Sequence, residues 1–165
     1  MLFAPSRPLA PAIRKRLELL RAEFGGRIVE PLHITLERTD GRDASGLIAA
    51  VHASAPGVRP VPVRGENLFV ISSPYRGADV LKLDVARDDE LNRAIAEVRS
   101  AVRAAGLRSL YGDVRSTTVT VLERVGRPGS LERWPLPLEL FIADELIVSR
   151  IVGASTYDIL DRVVI

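Results

Sequence analysis

One of the chain's two histidines lies beside a threonine in the stretch His33-Ile34-Thr35-Leu36. On a β-strand alternate side chains point to the same face, so His33 and Thr35 would share a face that Ile34 does not. Imidazole has an unperturbed pKa of about 6.5 and therefore suits proton transfer at neutral pH. A threonine hydroxyl beside it can donate a hydrogen bond to an anion. The stretch predicts acid–base chemistry on one face of a strand.

A second stretch repeats this alternation of polar and apolar residues. It reads Thr118-Val119-Thr120-Val121 and begins 85 residues after His33, about half the chain length away. Each stretch follows a predicted helix, and each is trailed by a glutamate–arginine pair, Glu37-Arg38 and Glu123-Arg124. This weak internal repetition indicates two similar lobes.

These two stretches resemble the paired H-x-T/S-x motifs of the 2H phosphoesterase superfamily, which includes the 2′-5′ RNA ligases and cyclic nucleotide phosphodiesterases. The resemblance covers nearly the whole chain, and its end, from Leu146 to Ile165, is similar to the closing pair of strands of that family. It implies an α+β fold in one bilobal domain, residues 1–165. Two pseudo-symmetric lobes would present small antiparallel sheets to a central groove, with the helices outside. The second motif departs from the family pattern, because Thr118 stands where the family has a histidine.

The reaction implied by the resemblance is attack on a 2′,3′-cyclic phosphate or a 2′-5′ phosphodiester, in RNA ends or small nucleotides. One histidine would take a proton from the nucleophile and the other would protonate the leaving oxygen, with no metal ion or other cofactor. The family pattern makes His33, Thr35, Thr120 and, in altered form, Thr118 the catalytic positions. The hydroxyls would hold the phosphoryl oxygens. Since an alcohol cannot shuttle protons at neutral pH, losing one acid–base partner is expected to cost ~10²–10⁴ in rate.

Four more residues are predicted to bind substrate at the mouth of the groove: Arg38, Arg124, Tyr75 and Arg76. Arginine binds phosphate through paired hydrogen bonds, and tyrosine can stack on a base. A competing interpretation makes Tyr75 and Arg76 a solvated turn. Another assigns the excess of arginine, 21 against two lysines, to the codon usage of a GC-rich genome.

Three aromatic or titratable side chains are given structural interpretations. His52 lies within a predicted helix and is expected at its surface or half-buried, outside the catalytic groove. Trp134 and Tyr157 are expected to anchor the core rather than to stack on bases.

Two functions therefore remain open, besides a structural domain in which the motifs recur by chance. The first is a metal-free hydrolase of the 2H type, whose turnover is reduced or redirected by Thr118. The second is a catalytically degenerate RNA- or nucleotide-binding module that uses the same groove. The sequence does not decide whether His33 is the acid or the base.

Composition limits the other possibilities. The 165 residues suffice for one ordinary domain. The absence of cysteine excludes disulfides and thiolate chemistry, and two histidines argue against a histidine-rich metal centre. No apolar run approaches the ~20 residues that cross a bilayer, and the first residues lack the pattern of a signal peptide. We expect a cytoplasmic monomer with no membrane partner.

Hydrophobic periodicity and turn residues predict the order of elements. Helices are predicted at 11–24, 43–55 and 88–105, and strands at 30–38, 58–72, 78–86, 114–123, 144–152 and 156–164. Strict alternation would place Glu37 on the same face as His33 and Leu122 on the same face as Thr120. The order of elements is typical of an α+β fold.

Overall fold

The computed structural model describes residues 1–40, 43–74, 77–111, 117–127, 129–152 and 156–165. Within these ranges the helices are α1 (Pro11–Phe24), α2 (Ala44–Ser54) and α3 (Asp89–Ala104). The first strands are β1 (Leu2–Ala4), β2 (Arg27–Ile28), β3 (Ile34–Thr35), β4 (Val61–Ser73) and β5 (Ala78–Val85). The remaining strands are β6 (Thr118–Glu123), β7 (Leu138–Ala143), β8 (Glu145–Ile151) and β9 (Tyr157–Val164).

Local signals in the sequence account for the helices. Two aspartates cap helix starts: Asp43 accepts a hydrogen bond from the Gly46 amide at 2.8 Å, and Asp88 accepts one from Leu91 at 2.8 Å. A proline begins α1, where its missing amide hydrogen costs nothing. No helix in the described ranges has the length and apolar character needed to cross a membrane.

The strands form one antiparallel sheet in the order β7-β4-β5-β6-β3-β1-β8-β9, and β2 pairs with β6. The sheet divides naturally into two halves, β7-β4-β5-β6 and β3-β1-β8-β9. They join where β3 pairs with β6, through the single residue pair Ile34–Val119. Both residues of this pair are fully buried. The two stretches that carry the predicted chemistry therefore form the junction between the halves.

The α+β class and the antiparallel sheet agree with the expectation from the sequence. Where two small sheets were expected, the two halves form one sheet that is continuous through the β3–β6 pair. Three strands were not predicted: β1, β2 and β7. Of the predicted strand 30–38, only Ile34–Thr35 forms a strand in the structure. The chain pairs with β6 first through β2 and then through β3, and the residues between these two strands lie outside the ladder.

Candidate active site

The register of the junction brings the two motifs together. Ile34 pairs with Val119 in an antiparallel ladder. Carried one residue on, this register sets Thr35 opposite Thr118. His33 directly precedes β3, and its ring meets that of Tyr157, which packs on Leu2, the β1 partner of Thr35. Directly opposed residues have Cβ atoms about 4.5–5.5 Å apart. The four motif positions thus share the side of the sheet opposite Ile34, which we call the groove face.

The groove face extends from β6 onto β5. Lys82 pairs with Thr120, and Asp84 pairs with Thr118. Alternation therefore puts Lys82 and Asp84 beside the second motif, although the sequence analysis did not select them. The alternation of these two polar residues with apolar ones was visible in the sequence. What the sequence did not reveal was the neighbour of that strand in the sheet.

A β-bulge in β6 lies immediately after Thr120. Leu81 pairs with Leu122 while Lys82 pairs with Thr120, so Val121 is an extra residue on β6. Bulges interrupt the alternation of a strand and redirect its side chains. The prediction that Leu122 shares the face of Thr120 is therefore wrong: Leu122 is fully buried in the main hydrophobic core.

His33 is held on two sides. Its Nδ1 lies 2.8 Å from the carbonyl oxygen of Pro31. The Tyr157 ring meets the imidazole edge-on, with centroids 5.0 Å apart and planes at 83°. The residue is 5% exposed, whereas Thr35, Thr118 and Thr120 are half-buried. This histidine is thus fixed in orientation by a main-chain group and an aromatic ring.

Tyr157 belongs to a small apolar cluster on the same side of the sheet as His33. It packs with Ile159 against Leu2, Ala4 and Ile147. Its predicted packing role therefore holds in part, but the contact with His33 was not foreseen. The signal that would have identified it is the strand order β3-β1-β8-β9, which no local pattern reveals.

Arg38 and Arg124 lie beyond opposite ends of the paired motif strands, because β3 and β6 run antiparallel. Arg38 is half-buried and its carbonyl accepts a hydrogen bond from the Leu110 amide at 2.8 Å. Arg124 is exposed and has a φ of 56°, a left-handed conformation that few non-glycine residues adopt. The two arginines therefore flank the motif residues from opposite ends.

The glutamates before these arginines are buried. Glu37 is 0% exposed, accepts a hydrogen bond from Ser109 Oγ at 2.9 Å and lies 3.3 Å from Arg99 Nε. The prediction that Glu37 shares the face of His33 is wrong, because regular pairing of β3 ends at Thr35. Glu123 is 2% exposed and accepts a hydrogen bond from Arg27 Nε at 2.7 Å. Both carboxylates therefore have structural partners.

Three further predictions concern residues away from the motif strands. Tyr75 and Arg76 lie outside the described residues. His52 is exposed on α2 and its Nε2 lies 2.8 Å from the Asp161 carboxylate, as expected for a surface helix residue.

Within the described ranges, no three His, Asp or Glu side chains lie close enough together to hold a metal ion.

An open cavity of about 490 Å³ has Pro31 and Tyr157, the two residues that hold His33, in its wall. Two arginines also line it, and each has an acidic partner within the same wall. Arg21 lies 2.7 Å from Glu18, and Arg27 pairs with Glu123. Glu30 also belongs to the wall, so the cavity has three glutamates against two arginines, beside an aromatic ring.

Comparison with solved structures gives matches over almost the entire chain. A crystal structure of E. coli LigT complexed with 3′-AMP has a TM-score of 0.62 and 19% identity, covering 99% of this chain and 96% of that chain. A crystal structure of a phosphoesterase has a TM-score of 0.64 and 20% identity with the same coverage. LigT complexed with NADP⁺ has a TM-score of 0.59 and 21% identity, again covering 99% and 96%.

No protein-family model matches the chain, and no curated protein matches it either. At identities near 20% the structural likeness shows the fold. The chain has the fold of LigT, and the fold predicted from the paired motifs is confirmed. E. coli LigT itself has been crystallised with 3′-AMP, NADP⁺ and ATP.

Proposed function

We propose that this chain is a 2H-type phosphoesterase-like protein that binds the phosphodiesters of RNA ends or small nucleotides in its groove. It hydrolyses 2′,3′-cyclic phosphates or 2′-5′ linkages slowly, with one histidine in place of two. The observation that supports this most strongly is the pairing of Ile34 with Val119. It sets one imidazole and three hydroxyls on one face of the sheet, where the two halves meet.

The hydrogen bond at His33 favours the role of base. A carbonyl oxygen only accepts hydrogen bonds, so the contact between Nδ1 and Pro31 O places a proton on Nδ1. In the neutral imidazole the lone pair then lies on Nε2, which can take a proton from an attacking water molecule. Tyr157 and Pro31 together fix the ring plane, so the same nitrogen is presented throughout the reaction.

The three threonines act on the phosphoryl group. Thr35, Thr118 and Thr120 are half-buried on the groove face, and each hydroxyl can donate one hydrogen bond to a non-bridging oxygen. Donors that are fixed before the reaction stabilise charge as it develops on those oxygens. Arg38 and Arg124 serve longer substrates, whose further phosphates extend toward the two ends of the groove.

The cavity walled by Pro31 and Tyr157 suits the uncharged part of a nucleotide. Its two arginines are already paired with carboxylates, which weakens it as a second phosphate site. The Tyr157 ring provides an apolar surface for a base or a ribose. This arrangement supports a nucleotide as the ligand over an inorganic anion.

Thr118 favours a second candidate, the nucleotide- or RNA-binding module without turnover. A hydroxyl at this position can hold a phosphoryl oxygen by a hydrogen bond, but it cannot transfer its proton at neutral pH. If no other group replaces the missing acid, the groove binds its ligand and releases it unchanged.

Hydrolysis of 2′,3′-cyclic mononucleotides by four purified forms distinguishes these functions. The forms are the chain as given, His33→Ala, Thr118→His and a control, His52→Ala, which removes the exposed histidine away from the motif strands. We expect slow turnover that is lost in His33→Ala, kept in His52→Ala and raised ~10²–10⁴-fold in Thr118→His.

Each pattern of results has one meaning. Turnover by Thr118→His alone, with nucleotide binding by the given chain, would establish the binding module. Failure of every form to bind or hydrolyse cyclic nucleotides would refute the proposed function. Turnover unchanged in His33→Ala would refute the role of this histidine.

A further inference from the structure

Lysine is rare in this chain, which has 21 arginines and two lysines. Lys15 lies exposed on α1. Lys82 is instead half-buried in the middle of β5, on the groove face. A chain that uses arginine at nearly every basic position thus has a lysine at the centre of its candidate site, where the two side chains differ chemically.

Lys82 lies in one row with the motif residues. It pairs with Thr120 across β5 and β6, and on the other side of β6 His33 directly precedes Ile34, the partner of Val119. With neighbouring strands about 4.8 Å apart, β5, which carries Lys82, and β3, which follows His33, are separated by two strand spacings, about 10 Å. A phosphoryl group held by the Thr120 hydroxyl would be reached by the ammonium from one side and by the imidazole from the other.

The bulge after Thr120 maintains this row. It absorbs one residue, Val121, so that Lys82 and Thr120 remain opposed while the next pair, Leu81 and Leu122, lies in the core. Without the extra residue the alternation beyond Thr120 would bring Leu122 onto the groove face. Because of the bulge, the polar residues of the groove face stop at Lys82 and Thr120, and the residues that follow them on the two strands are buried and apolar.

Two other charged or titratable residues on the groove face are Asp84 and His33. Asp84 is two residues along the same strand and opposite Thr118, and its carboxylate accepts a hydrogen bond from Asn67 Nδ2 at 3.3 Å. The residue opposite Lys82 on β4 is the uncharged Phe69.

We propose that Lys82 takes over the part that a second histidine would have: its ammonium holds the phosphoryl oxygens opposite His33 and protonates the leaving oxygen. This inference rests on the proposed function. His33 Nε2 takes a proton from water as the new P–O bond forms. The bond from phosphorus to the ribose oxygen breaks, and that oxygen receives a proton from Lys82. Solvent then removes the proton from His33 and returns one to Lys82, so that one water molecule is consumed.

The choice of lysine follows from this chemistry. Arginine keeps its proton in proteins and can only bind the phosphate, whereas an ammonium can bind it and also release a proton. An ammonium is a weak acid, with an unperturbed pKa of about 10.4, but a ribose alkoxide is a stronger base than the lysine amine and accepts that proton. Lys82→Arg therefore separates binding from proton donation.

The test compares Lys82→Arg and Lys82→Gln with the chain as given and with the control Lys15→Gln. Affinity is measured by calorimetry with 3′-AMP. Turnover is measured on two substrates: a 2′,3′-cyclic nucleotide, whose leaving group is an alkoxide, and a p-nitrophenyl phosphodiester, whose leaving group needs no proton. Thermal unfolding of each variant verifies that it is folded.

We expect Lys82→Gln to bind 3′-AMP about 10-fold or more weakly, as for the loss of a charge-assisted hydrogen bond. Lys82→Arg should keep its affinity, lose at least ~10²-fold in turnover of the cyclic nucleotide, and keep turnover of the p-nitrophenyl ester. Lys15→Gln should equal the given chain in each measurement. A general defect in packing would reduce both turnovers together.

The contrary outcomes are distinct. Unchanged affinity in a folded Lys82→Gln variant would overturn this inference and leave the proposed function intact. Equal losses on both substrates in Lys82→Arg would overturn the proton transfer, as would binding without any turnover in the given chain. If the given chain failed to bind 3′-AMP and failed to hydrolyse both esters, the proposed function would fall first and this inference with it.

Discussion

Substitution of Gly26 by alanine should destabilise the junction between α1 and the sheet. Gly26 has a φ of +82° and directly precedes β2, which pairs with the end of β6. A Cβ there would overlap the carbonyl oxygen of Glu123 and lie 3.0 Å from that of Arg124. Both obstacles are main-chain atoms, so no side-chain rotation relieves the contact.

The free energy follows from two contributions. An L-residue in the left-handed region costs about 1–2 kcal/mol, which is partly offset by about 0.4–1 kcal/mol from the lower entropy of the unfolded chain. The steric overlap with the β6 backbone adds about 1–3 kcal/mol. Gly106→Ala is the matched control, since Gly106 has a φ of +69° with no heavy atom near the added Cβ. Its cost should be only about 1 kcal/mol.

Urea unfolding, followed by the fluorescence of the single tryptophan, gives the free energy of unfolding for both variants. Gly26→Ala should be less stable than Gly106→Ala by about 2 kcal/mol, or about 4–8 °C in Tm. Equal destabilisation of the two variants would refute the close approach of β2 to β6. It would show that φ alone determines the cost at both positions.

Two more predictions concern the junction and the histidine. Ile34→Ala should lower the free energy of unfolding by about 2–5 kcal/mol, because Ile34 is fully buried. The control Ile142→Ala should cost less than about 0.5 kcal/mol, because Ile142 is 60% exposed. Similar values for the two variants in urea unfolding would contradict the burial of the junction. Tyr157→Leu should weaken binding of 3′-AMP up to about 10-fold while Tyr157→Phe binds normally, because the ring contact with His33 is worth about 0.5–1.5 kcal/mol. Equal affinities of the two Tyr157 variants would show that the ring does not support the site.

The helices were predictable because their signals are local. Capping by Asp43 and Asp88 and the apolar spacing of α3 are written within a few residues of each helix start. Strand β1 has three residues, and its partners lie at Thr35 and Ile147. Such pairing depends on distant parts of the chain, so no short window of sequence contains it.

The motif residues were predictable for the same reason, and their neighbours were not. Alternation places His33 beside Thr35 and Thr118 beside Thr120 without any tertiary information. The placement of Lys82 and Tyr157 depends on which strands become neighbours, and the burial of Leu122 depends on a bulge. The fold was accessible through the two motifs, whereas half of the candidate site became visible only with the sheet order.

The antiparallel register of the junction also gives the groove a polarity. A local two-fold axis between Ile34 and Val119 carries His33 onto Thr118 and Thr35 onto Thr120. With an imidazole in both stretches, a cyclic phosphate could react in either of two orientations related by that axis. With one imidazole, only the orientation that turns the departing ribose oxygen away from His33 is productive. Hydrolysis in such a groove would yield a single regioisomer, because the site distinguishes the 2′ oxygen from the 3′ oxygen by its own asymmetry.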